Sequence, residues 1–116
     1  MRKTLVTGAL LAALAVALGA FGAHALKAQL TPGMLAAWQT AVQYHLVHAV
    51  AIVAIALSGR SSLRGSAWLL AAGIVLFSGS LYLLALTGVR GLGAVTPFGG
   101  VAFILGWLWL ACRPSS

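Results

Sequence analysis

The chain has 116 residues, room for one domain, and 62% of them are hydrophobic while 6% are charged; a soluble globular domain carries about 25% charged residues, so this composition belongs in lipid. Seven Lys or Arg stand against no Asp and no Glu, which excludes chemistry built on a pair of acid/base carboxylates. The single Cys112 excludes an intramolecular disulfide and a C-x-x-C redox centre, and reads as a small residue at a helix end.

The basic residues are scattered singly or in pairs between apolar runs. They form no face on which a nucleic-acid backbone could lie, so no nucleic acid is expected. They suit the flanks of membrane helices, and the lipid bilayer, with its anionic headgroups, is the expected partner. No G-x-x-x-x-G-K-[ST] loop is present, and no cofactor is expected.

A membrane helix needs about 20 mostly apolar residues. Four runs meet that requirement, and the sequence predicts an all-α single domain with helices at about 5–25, 32–58, 67–87 and 92–112. Short loops make neighbours antiparallel and predict a four-helix bundle.

The first run ends in GAFGAHAL, where Ala23-His24-Ala25 imitates a signal-peptide cleavage site behind Arg2 and Lys3. The apolar stretch exceeds the 7–15 residues of such a signal. Gly8, Ala12, Ala15, Gly19 and Gly22 also recur at spacings of four and three, one stripe on a helix. Such a stripe brings a neighbouring helix close, so the segment is expected to be kept. On a regular helix His24 lies about 140–160° from that stripe, and it can join another cluster only if the helix ends or bends.

In the second run, Thr31 suits the N-cap and Pro32 the first helical position. Gln39, Thr40, Gln43, Tyr44, His45 and His48 then place polar groups at membrane depth. Thr40, Tyr44 and His48 share a face, His45 is about 60° from His48, and Gln39 with Gln43 forms a second strip. In the third run, Ser78 and Tyr82 are four apart and share one face. The fourth repeats a Thr-Pro start at Thr96-Pro97, and Gly99, Ala102 and Gly106 form another packing stripe. Trp107 and Trp109 are read as an aromatic belt.

Arg2, Lys3, Arg60, Arg64 and Arg113 fall at one end, Lys27 and Arg90 at the other. The positive-inside rule then predicts both termini in the cytoplasm.

GAFGAHAL, WQTAVQYHLVHA, FSGSLYLLALTG and TPFGGVAFILGW together resemble the signature blocks of the YgdD/YwdK family. These are small four-helix bacterial inner-membrane proteins of unknown function, transmembrane protein 256-like. The resemblance covers nearly the whole chain and implies four helices with an uncleaved first one. It picks out Gly19, Gly22, His24, Tyr44, His45, His48, Ser78, Gly79, Tyr82, Pro97, Gly99 and Gly100, but brings no reaction.

The candidate polar cluster is therefore His24, Gln43, Tyr44, His45, His48, Ser78 and Tyr82, and the candidate packing positions are Gly8, Gly19, Gly22, Gly99 and Gly106. The leading expectation is a non-catalytic structural or accessory membrane protein, with a homo-oligomer or a larger membrane complex as its two forms of assembly. In it the polar groups tie helices together by hydrogen bonds worth about 0.6–2 kcal/mol each. One alternative is a small homo-oligomeric transporter or channel with a histidine-lined site. Another is a haem- or metal-binding protein using the three imidazoles.

Overall fold

In the computed structural model, which describes residues 1–113, the first apolar run is one unbroken helix, α1 (Arg2–His24). Alanine and leucine dominate it, the residues that lose least on entering a helix. Its buried positions Thr4, Gly8, Ala15 and Gly22 form the stripe that packs on the second helix. A Cβ at Gly8 would stand 2.8 Å from Ile52 Cγ2, so only hydrogen fits between the two backbones there.

Helix α2 (Pro32–Ser58) starts as its sequence predicts. The Thr31 hydroxyl accepts from the Met34 N–H at 3.2 Å, with proline in the first turn. It stops at Gly59, whose φ of 70° is left-handed.

Helix α3 (Ser61–Thr87) begins six residues before the expected start at 67. A 3₁₀ turn, Ser61–Leu63, leads into it. The polar residues that hide this start from a hydropathy reading are accommodated: Ser66 is buried because its hydroxyl donates to the Gly106 carbonyl at 2.7 Å. Midway, Ile74–Ser78 is wound as a π-helix, which turns the following side chains around the axis relative to an α-helix. The helix ends at left-handed Gly88.

Helix α4 (Thr96–Cys112) follows a 3₁₀ turn over Arg90–Ala94, so Leu92–Ala94 is helical rather than irregular. Thr96 does not cap α4 as its Thr-Pro context predicts. The 3₁₀ turn already carries the chain into the helix, and the Thr96 hydroxyl instead meets Ser80 Oγ of α3 at 2.6 Å. Pro97 stays in the first turn, where its missing N–H costs nothing.

No strand occurs among the described residues, and four helices are long and apolar enough to cross a membrane. α1 packs on α2, α2 on α3 and α3 on α4, giving a flattened bundle of 50 × 26 × 17 Å with α1 and α4 on its flanks. The core joins Ala49, Ile52 and Ile55 of α2, Leu63, Ala67, Leu70 and Ile74 of α3, and Phe103 of α4. Leu10, Val16, Leu57, Val75, Phe98 and Ile104 are among many large apolar side chains left outside. Water would not tolerate so wide an apolar surface, whereas lipid requires it.

Candidate functional site

His45 is the middle residue of the 27-residue α2, a helix about 40 Å long. Its ring therefore lies midway along the helix, and the groups that approach it come from α3 and α1. His45 is 1% exposed, and its Nδ1 pairs with Tyr82 Oη at 2.8 Å. Its Nε2 is buried without a hydrogen-bond partner; the Leu11 carbonyl of α1 approaches the ring but falls outside hydrogen-bond geometry.

His48 is better satisfied. Nδ1 lies 2.6 Å from the Tyr44 carbonyl, which can only accept, so Nδ1 carries the proton. Nε2 accepts the indole N–H of Trp107 at 3.0 Å. This assigns one neutral tautomer, and both ring nitrogens are used. The ring also stacks on Phe103, with centroids 3.7 Å apart and planes 11° from parallel. Tyr44 and Phe77 extend the aromatic layer, at 4.6 Å between their centroids.

Ser78, the last residue of the π-helical segment, donates to the Ala41 carbonyl of α2 at 2.7 Å. Tyr82 follows one turn later on the same face, so α3 grips α2 at two successive points. At the far end of α2, Trp38 donates to the Leu18 carbonyl of α1 at 2.9 Å and packs on Tyr82 with centroids 4.7 Å apart.

Of the seven candidate polar residues, Tyr44, His45, His48, Ser78 and Tyr82 come together in this seam. His24 does not join them. α1 stays helical through it, as the wheel geometry required for exclusion, and the side chain is exposed at the end of the helix. Gln43 is exposed on the outer surface of α2, beside Tyr44 and His48 but without a hydrogen bond. No group of three His, Cys, Asp or Glu able to hold a metal occurs among the described residues.

The five packing glycines all sit at helix contacts: Gly8 faces Ile52, Gly19 Val42, Gly22 the Trp38 ring, Gly99 the Phe77 backbone and Gly106 Leu70.

Several partners went unread in the sequence. Trp107 and Trp109 are not merely a belt, since Trp109 donates to the Ser62 carbonyl at 3.0 Å as Trp107 does to His48. Ser66, Gly73 and Ser80 of α3 line the seam with α4, facing Gly106, Phe103 and Thr96. Their seven-residue spacing was the available signal.

Residues 18–100 match the family described as a protein of unknown function, DUF423. The chain belongs to this family. Among curated relatives, the UPF0382 membrane protein YwdK of Bacillus subtilis is 49% identical over 115 residues, covering 95% of this chain and 94% of that protein. The UPF0382 membrane protein SSP2132 of Staphylococcus saprophyticus is 49% identical over 113 residues, with 95% and 94% covered. SERP0230 of Staphylococcus epidermidis is 50% identical over 113 residues, with 95% and 93% covered. No solved structure matches significantly. This DUF423 chain is thus a small multi-pass membrane protein from a family without an established function.

Proposed function

We propose that this protein is a non-catalytic structural or accessory component of the bacterial inner membrane that self-associates through α2. Both termini face the cytoplasm and α1 is retained as a packed span. The basic residues clustered at one end support the orientation, and the glycine contacts of α1 with α2 support its retention.

One observation carries the self-association. Gln39 and Gln43 are exposed one turn apart on α2 without a hydrogen-bond partner, beside a cavity of about 230 Å³ shared with Gly19 and Ala23 of α1. A primary amide facing hydrocarbon is costly, and it is satisfied by another polar side chain across a helix contact. An amide both donates and accepts, so the strip is complementary to itself and suits a two-fold contact between copies.

The test is oxidative cross-linking of Gln43→Cys in native membranes, in a Cys112→Ser background. A disulfide-linked dimer is expected there and not at Val75→Cys, on a lipid-exposed face of α3. Equal cross-linking at both positions, or none at Gln43→Cys, defeats the proposal. Orientation is checked by C-terminal fusions: a fluorescent reporter active in the cytoplasm against a phosphatase active outside it.

A histidine-lined transport path has one observation in its favour, the unpaired Nε2 of His45, buried midway along α2. It requires pH-dependent flux in proteoliposomes that His45→Ala abolishes.

A further inference from the structure

At the basic-rich end, the starts of α1 and α3 border an open cavity of about 360 Å³ lined by Met1, Arg2, Lys3, Thr4, Arg64 and Trp68. Three cationic side chains border one space. Like charges gathered this way repel unless a counter-charge separates them. The chain has no Asp or Glu anywhere, so no side chain of its own supplies that charge. An anion that balances them comes from outside the chain.

Two neutral groups make the cavity more than a cationic patch. Thr4 is 2% exposed, yet it lines the cavity, and its hydroxyl has no hydrogen-bond partner among the described residues. Trp68 also lines the space. The indole N–H groups of Trp38, Trp107 and Trp109 all donate to protein acceptors, whereas that of Trp68 does not. The residues lining the cavity thus carry two guanidinium groups, an ammonium, a hydroxyl and an indole N–H. An anion with several oxygens uses such a donor set, and the forked guanidinium suits phosphate in particular.

The location narrows the source. Arg2 and Arg64 stand at the ends of membrane-spanning helices, where lipid phosphates lie, and Trp68 is one turn further toward the hydrocarbon.

We propose that Arg2, Lys3, Thr4, Arg64 and Trp68 form a binding site for a phosphate group, supplied by an anionic phospholipid whose headgroup enters between α1 and α3. The three cations bracket the phosphate, Thr4 donates from beneath it, and Trp68 lies beside the glycerol backbone.

The full-length protein in neutral detergent is titrated with brominated phosphatidylglycerol or brominated phosphatidylcholine, and tryptophan quenching is followed. The contribution of Trp68 is taken as the difference from Trp68→Phe. Phosphatidylglycerol is expected to quench it at about one-tenth the concentration needed for phosphatidylcholine, and Arg64→Gln to weaken that binding about fivefold. Neutralising Arg2, Lys3 and Arg64 together should weaken it about a hundredfold. Thr4→Val, which keeps the shape and removes the donor, should cost about fivefold. Arg90→Gln, at the opposite end, should change nothing.

Inorganic phosphate at matched ionic strength separates the sources. If it leaves the quenching intact, the lipid is the ligand; if it displaces the lipid at millimolar concentration, the same site draws on soluble phosphate. Equal quenching by the two lipids overturns the proposal, as does an effect of Arg90→Gln as large as that of Arg64→Gln.

Discussion

Trp107 of α4 donates its indole N–H to Nε2 of His48 on α2 at 3.0 Å. The two helices do not pack backbone to backbone along their length; long aromatic side chains bridge them across the flank of α3. The bond consumes the only lone pair on the imidazole, because Nδ1 is committed to the Tyr44 carbonyl. A protonated His48 would set N–H against N–H, so the bond also selects the neutral ring.

Trp107→Phe removes this donor and keeps most of the packing. It should destabilise the protein by about 1 kcal/mol, between the average of about 0.6 and the maximum of about 1.7 for interhelical hydrogen bonds in membranes. Thermal unfolding in detergent reads the loss. Nitrogen NMR of the labelled histidine should show a neutral ring protonated on Nδ1 in the unmodified protein, and a changed Nε2 shift in the variant.

The His45–Tyr82 pair supports a different test. Tyr82→Phe leaves both nitrogens of a buried imidazole without a good partner, a loss of about 1–3 kcal/mol. Replacing both partners, as His45→Leu with Tyr82→Phe, removes the stranded group as well. The double variant should therefore melt closer to the unmodified protein than Tyr82→Phe alone. A double variant that melts lower by the sum of two losses would show that the pair does not act as a unit.

Two glycines in adjoining stretches should respond oppositely. A Cβ at Gly99 runs into the backbone of Phe77, within the π-helical segment of α3, whereas one at Gly79 meets nothing within 4 Å. Gly99→Ala should cost about 1–3 kcal/mol by forcing α3 and α4 apart. Gly79→Ala, at helical φ and ψ with open space around it, should gain about 0.4–1 kcal/mol through the unfolded state. Denaturation midpoints of the pair decide it.

Added metal should have little to hold. His48 has both nitrogens engaged, His24 is exposed at the far end of α1, and His45 lies between α3 and α1. Equimolar Zn²⁺ should leave the melting temperature unchanged, whereas a metal-induced rise abolished by His45→Ala would point to a rearranged site.

What the sequence alone determined is what depends on neighbours along the chain. The length of each apolar run, the Thr31-Pro32 helix start and the small-residue stripe of α1 follow from the thickness of lipid, from end groups needing partners and from 3.6 residues per turn. His24 belongs here too, since continuing the helix through it was enough to turn it away from the packing stripe. Only the tertiary structure decided which polar groups meet. Trp107 reaching His48, Thr96 reaching Ser80 rather than capping its own helix, and Ser66 hidden against Gly106 all depend on the rotation and offset of one helix against another. The π-helical turn at Ile74–Ser78 resets that rotation within α3, directing Ser78 to α2 and Ser80 to α4. In a medium without water every buried donor needs an acceptor nearby, and the packing of the helices determines which acceptor that is.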